Sequence, residues 1–314
     1  MDVQRGLAAR LGLSVPNEWW PSRPMLEEIA TSGLGWVQLP SPPAAVLADP
    51  RSCIRHARAA LEALEPAGLR SVLHAPGELL LGEPVADQAL EGALSYAAEC
   101  GAELVVYHAR ALPDGHRAED RMLLEARSLA RLAVVAERLG VGIALENLAP
   151  VFPGPETISA NPLALRALAR RINSPAVGLC LDVGHANVIA GLRRTSLARM
   201  VEPVLDMVSL FHLHDNLGAR WHQPVPRPDL DPLRLDLHLP LGSGDIDWPS
   251  VASSLLAHHA PLLMEIHPPR ASPTELTSKA LRTLSPLPPA DAPPAVRPAG
   301  NGAAAAAMVQ PTLR

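Results

Sequence analysis

Cysteine is nearly absent. Cys53, Cys100 and Cys180 are odd in number and far apart, with no Cys-x-x-Cys pair among them. That argues against a disulfide scaffold and fits a reducing compartment, with all three thiols expected as small buried apolar groups. Aromatic residues are as scarce: five Trp, two Tyr and two Phe leave little material for a platform on which single-stranded bases could stack. There is no basic excess either. Twenty-seven basic residues against 32 acidic ones leave a formal net charge of −5, which argues against broad attraction to a phosphate backbone. No uncharged run reaches the ~18 residues of a membrane span, and the opening residues hold no apolar region of signal length, so the reading is a cytoplasmic protein with no membrane partner. No glycine-rich phosphate loop follows the first apolar stretch, which disfavours an open dinucleotide-binding sheet.

What is present is alternation. Gly12–Pro16, Gly35–Pro40, Ser71–His74, Glu103–His108, Val141–Glu146, Val177–Asp182, Val208–His212 and Pro261–Glu265 read as short strands. Between and after them, Met25–Ala30, Arg51–Leu64, Asp87–Cys100, Ala118–Leu139, Asn161–Arg171, Leu192–Val204, Trp248–Ala257 and Pro273–Leu284 read as helices. Parallel neighbours need crossover helices, so eight such units predict an α/β fold, a (β/α)₈ TIM barrel over residues 1–284. From Ser285 onward the chain turns to Pro, Ala and Gly with no apolar periodicity. Residues 285–314 are therefore expected to form a disordered tail.

The most informative stretch is Val177-Gly-Leu-Cys-Leu-Asp182-Val-Gly-His185, an apolar run that ends in an acid, with a histidine three residues on in what reads as a loop. Period-two alternation puts Gly178, Cys180 and Asp182 on one strand face. Other strands end the same way, in His74, His108, Glu146, His212 and Glu265. In a barrel all these carboxyl ends converge on one rim. A lone acid there would be desolvated at a cost of several kcal/mol, and a shared divalent cation is the economical compensation. Imidazole and carboxylate without thiolate suit Zn²⁺, Mn²⁺, Co²⁺ or Mg²⁺. By alternation His214 also faces the site, where it is expected to hold a ligand carboxylate.

These motifs carry a resemblance. Leu73-His74-Ala-Pro, Tyr107-His108, Leu145-Glu146-Asn147, Leu181-Asp182-Val-Gly-His185, His212-Leu-His-Asp215-Asn, Asp236-Leu-His238-Leu-Pro-Leu-Gly-Ser-Gly244 and Met264-Glu265 together resemble the xylose isomerase-like barrel superfamily, over roughly residues 8–284. That superfamily groups sugar and sugar-phosphate isomerases and epimerases with endonuclease IV. In its epimerase branch, residues similar to Glu146, Asp182, His212 and Glu265 hold one cation, and the two glutamates move protons. The endonuclease branch adds residues resembling His74, His108, His185, Asp236 and His238 to hold three zinc ions. The resemblance implies a metal-dependent isomerase or epimerase of a carbohydrate-like small molecule, with a multinuclear zinc phosphodiesterase as the alternative. His185, Asn147, Arg220 and Trp221 are the expected substrate contacts. Gly77-Glu78 stands where the endonuclease places a DNA-inserting tyrosine, which together with the acidic balance makes nucleic acid an unexpected partner. A homo-oligomer is compatible with all of this.

Overall fold

In the computed structural model, residues 6–16, 20, 22–77, 79–109, 118–149, 158–219, 235–266 and 271–285 are described. Eight parallel strands close in sequence order into one barrel. They are β1 (Leu11–Ser14), β2 (Trp36–Leu39), β3 (Arg70–His74), β4 (Leu104–His108), β5 (Gly142–Glu146), β6 (Val177–Asp182), β7 (Val208–Leu213) and β8 (Leu262–Met264). Closure is made by β1 and β8, with Leu11 opposite Leu262 and Leu13 opposite Met264. The expected barrel is thus the observed one.

Alternation sorts each strand into two faces. Outward residues such as Leu73, Tyr107, Leu145, Leu181 and Phe211 join the large core beneath the helices. Inward residues Trp36, Val72, Val106, Ala144, Cys180, Leu210 and Leu263 form a second, smaller apolar cluster. It plugs the barrel, as side-chain layers do in this architecture. Two residues further along each of β2 to β8 stands the next inward position: Gln38, His74, His108, Glu146, Asp182, His212 and Glu265. The polar ring therefore rests directly on an apolar floor, which keeps water out from below.

The helices cap and stop by ordinary local chemistry. Asp49 accepts from Ser52 N to start Pro50–Leu64, Asn161 from Leu163 N to start Pro162–Ile172, and Ser272 forms a capping box with Glu275 on Pro273–Leu284. That last helix ends at Leu284 with Ser285 as its C-cap, so the expected tail lies outside the described residues from 286 on. One crossover differs from the sequence reading. A helix starts at once after β6, over Val183–Leu192, and the segment expected to be helical from Leu192 to Val204 is instead a short helix, Ala198–Val201, running into a 3₁₀ turn, Glu202–Met207. The Asp182 side chain caps the new helix by accepting from His185 N at 2.6 Å. A capping acid and a buried strand end look alike in sequence, which is why the loop expected there is absent.

Candidate metal centre

Glu146 sits at the middle of the ring. Its Oε2 lies 3.2 Å from His108 Nε2 and 3.6 Å from His74 Nε2. Its Oε1 lies 3.3 Å from His212 Nδ1 and 3.7 Å from His185 Nδ1. His212 Nδ1 in turn faces Glu265 Oε2 at 3.6 Å and Asp182 Oδ2 at 4.0 Å. Donor atoms of Glu146, Asp182, His212 and Glu265 consequently fall within 4.8 Å of one another. The same holds for His74, His108 and Glu146, and for His185, His214, Asp236 and His238. Cys180 shares a fourth such group with Glu146 and His212, and burial pushes its thiol far above the usual range.

The imidazoles are oriented from behind. Nδ1 of His74 bonds the Ala75 carbonyl at 2.6 Å, that of His108 the Gly77 carbonyl at 3.3 Å, that of His185 the Asn147 carbonyl at 2.7 Å and that of His238 the Glu265 carbonyl at 2.8 Å. A carbonyl only accepts, so each Nδ1 carries a proton, and Nε2 is the nitrogen left to ligate once it is deprotonated. This is how ligating histidines are held in metal sites. His212 is reversed: Nε2 meets Gln38 Oε1 at 2.7 Å, leaving Nδ1 for the cluster.

Burial and charge act against each other here. Burial alone would raise the carboxyl groups, yet His212 and His108 hold Glu146 well below the usual range, and His185 and His214 lower Asp182. Burial alone would lower the imidazoles, yet Asp182 and Asp236 hold His185, and Cys180, Glu265 and Glu146 hold His212, well above their ordinary value. Without a cation the cluster must draw protons instead. Glu146 Oε2, Asp182 Oδ2 and His212 Nδ1 are buried with no hydrogen-bond partner, and each such orphan costs about 1–3 kcal/mol. A divalent cation among Glu146, Asp182, His212 and Glu265 would take up lone pairs of this kind. The nitrogen and oxygen donors present fit such an ion.

His185, expected in a loop, occupies the first turn of the helix Val183–Leu192 and still faces Glu146, Asp182 and Asp236. Asp236 and His238 reach it because their segment is tied to the end of β7. Asp215, fully buried, accepts from Asn216 N, Gly242 N, Ile246 N and Trp248 Nε1 at 2.8–3.2 Å, and its backbone pairs with Leu239. The approach is so close that a Cβ on Gly244 would stand 2.3 Å from Asp215 Oδ1, which explains the Gly-Ser-Gly motif. Asn147, expected as a substrate contact, spends its side chain on the Asp182 backbone. Its amide donates to Asp182 O at 2.9 Å and accepts from Asp182 N at 2.8 Å, continuing the ladder between β5 and β6 by side chain. It holds Asp182 in place. Arg220 and Trp221 lie outside the described residues.

The sequence reading missed Gln38 and Asp215. The signal for Gln38 was an amide at an inward position of an otherwise apolar strand; Asp215 stood in a motif, but its role did not show, since Gly242, Ile246 and Trp248 bond it from 27 to 33 residues away. His214 lies with Nε2 3.2 Å from Asp182 Oδ1 and its ring stacked 4.0 Å from His238.

A closed parallel barrel whose carboxyl-end rim gathers imidazoles and carboxylates that could hold a metal ion is a TIM barrel with a candidate metal site. Within that class, this chain is a member of the xylose isomerase-like TIM barrel family, which it matches over residues 26–287. It is 27% identical to the uncharacterized protein MJ1311 of Methanocaldococcus jannaschii over 169 residues, 53% of this chain and 50% of the relative. The chain thus spans about half the length of that curated relative. Among solved structures, a D-tagatose 3-epimerase-like protein superposes with TM-score 0.63 at 21% identity, covering 87% of this chain and 96% of the other. The 3-keto-D-glucoside 4-epimerase of E. coli does so at 0.63 and 15%, covering 87% and 99%. A Thermus thermophilus protein whose crystals were soaked with ZnCl2 gives 0.61 and 22%, covering 88% and 97%. At these identities the likeness is one of fold. No helix among the described residues is long and apolar enough to cross a membrane.

Proposed function

We propose that this chain is a divalent-cation-dependent isomerase or epimerase of a sugar, sugar phosphate or related small molecule. The observation that carries this reading is the placing of two carboxylates, Glu146 and Glu265, close to one atom, His212 Nδ1, at 3.3 and 3.6 Å. Two carboxylates on opposite sides of a carbon beside a carbonyl can remove a proton on one face and return one on the other, which inverts that centre. Glu146, Asp182, His212 and Glu265 would hold the cation. When bound, it supplies a Lewis acid for the negative charge that develops on the substrate oxygens. The residues' own part is to bind, orient and move the proton. Glu146 and Glu265 are both held below the usual carboxyl range, so each is ready to accept one. The apolar floor beneath them keeps bulk water from competing.

The adjoining groups His74, His108, Glu146 and His185, His214, Asp236, His238 support a second reading, a multinuclear zinc phosphodiesterase. The two are separated by incubating the protein, with Mn²⁺, Co²⁺, Zn²⁺ or Mg²⁺, with ketoses and their phosphates in D₂O. Deuterium entering beside the carbonyl, lost in Glu146→Gln and Glu265→Gln, is the expected result. Hydrolysis of a phosphodiester by protein carrying close to three zinc ions, with no solvent exchange, overturns it.

A further inference from the structure

The Gln38 side chain is buried, 1% exposed, and all its polar capacity is used at the centre of the ring. Its Oε1 meets His212 Nε2 at 2.7 Å. Its Nε2 donates to Glu265 Oε1 at 2.5 Å and to Ser14 Oγ at 3.1 Å. These contacts determine which way the amide points. Turned over, it would set its oxygen against the Glu265 carboxylate and its NH₂ against His212, a clash avoided only if His212 moved its proton to Nδ1. A proton on Nδ1 would point into Glu146, Asp182 and Glu265 and remove the one ring lone pair His212 offers them. His212 Nδ1 is fully buried with no hydrogen-bond partner, as expected for an atom reserved for something else.

We infer that Gln38 is a positioning residue for the proposed cation-dependent chemistry: as the neutral amide linking His212 to Glu265, it fixes the His212 proton on Nε2 and steers Glu265 Oε2 toward the cluster. The inference rests on the reading that His212 and Glu265 share a cation. It adds that the strand-two member of the ring, which binds nothing itself, decides whether they can. The four other cluster imidazoles with an anchored Nδ1 bond backbone carbonyls, which no side-chain substitution removes. His212 Nε2 is set by a side chain instead, so its tautomer is open to test. Glutamine suits this position because it both accepts and donates. Glutamate would keep the acceptor but lose both donors, and methionine keeps the volume and loses everything polar.

The test compares wild type, Gln38→Met and Gln38→Glu, with unfolding curves as a check on folding. In zinc-loaded protein, ¹⁵N-histidine NMR reads which nitrogen of His212 carries hydrogen, and cobalt titration against a chelator reads affinity. Wild type is expected to show Nε2–H, and Gln38→Met to lose that single tautomer and weaken cobalt binding on the order of 10- to 100-fold. Gln38→Glu keeps Nε2–H. Nδ1–H in wild type overturns the inference, as does a folded Gln38→Met with an unchanged tautomer and cobalt affinity within about twofold. If Gln38→Met does not fold, the wild-type and Gln38→Glu tautomers decide. Should wild type bind neither ion, the cation reading fails instead, and the His212 tautomer is then read in the metal-free chain above its titration, with the same two outcomes.

Discussion

The Nε2 atoms of His74 and His108 stand 3.1 Å apart, while the Nδ1 atoms of both rings face backbone carbonyls. Two lone pairs are thereby aimed at each other and at Glu146 Oε2, an arrangement that a shared proton or a cation relieves. For the isomerase reading a proton suffices there, because the main cation belongs to Glu146, Asp182, His212 and Glu265. His108→Ala should then leave that ion bound, whereas Asp182→Asn should weaken it by more than about 100-fold. Metal content after dialysis against chelator measures both. Loss of a bound ion in His108→Ala, with a total near three per chain, would move the assignment to the phosphodiesterase.

Cation binding should also release protons. Burial lowers the His185 and His212 pKa values, but Asp182 and Asp236 at His185, and Cys180 with Glu265 and Glu146 at His212, reverse this and hold both well above the ordinary value. In the metal-free protein these rings therefore keep protons past neutral pH, and an incoming cation has to displace them. Affinity should fall as pH falls, with at least about one proton released per ion at pH 7. Calorimetry in buffers of different ionisation enthalpy counts the protons, and a count of zero contradicts the described electrostatics.

A second pH effect arises away from the rim. Burial pushes the Glu125 carboxyl up to about 7, although the Tyr107 hydroxyl, donating at 2.7 Å, and the Arg121 charge pull it down. The folded state thus binds this proton more tightly than the unfolded chain, whose ordinary value is 4.5. The resulting stability is complete below 4.5 and is lost as pH rises through 7. The shift corresponds to at most about 3 kcal/mol. Glu125→Gln keeps an acceptor for Tyr107 and removes the titration. It should flatten the urea-unfolding free energy between pH 5 and 8 and be more stable than wild type at pH 8. An unchanged slope would show that Glu125 is ionised at little cost.

Much of this was legible in the sequence. Period-two runs ending in Asp182, Glu146 or His212 specify both the strand and the rim residue, because the same alternation that buries Cys180 aims Asp182 inward. His74 and His108 were legible for the same reason. What could not be read was anything depending on contacts across the barrel. Asn147 looked like a free amide beside an acid, yet only the neighbouring strand shows that it is spent on the Asp182 backbone. The helix after β6 was hidden because Asp182 serves at once as strand end, cap and cluster acid. Asp236 and His238 could be named from motif but not placed, since Asp215 places them from more than 20 residues away.

The glycine before His185 supplies the last prediction. A Cβ on Gly184 would stand 2.2–2.5 Å from Cε1, Nε2 and Nδ1 of His214, so that ring lies flat against the helix backbone and is held on its other side by His238, stacked 4.0 Å away. His214 has no freedom to move, since its Nε2 also lies 3.2 Å from Asp182 Oδ1. Gly184→Ala should therefore destabilise the protein by about 1–3 kcal/mol, the usual result of overpacking, even though alanine is the better helix former by ~1 kcal/mol. The two effects can be separated. In a His214→Ala background the clash is gone, and adding Gly184→Ala should be neutral or stabilising, giving a coupling of roughly 1–4 kcal/mol in a double-mutant cycle. Additive costs would mean that Gly184 serves the helix rather than the ring, and that His214 is placed by some other contact.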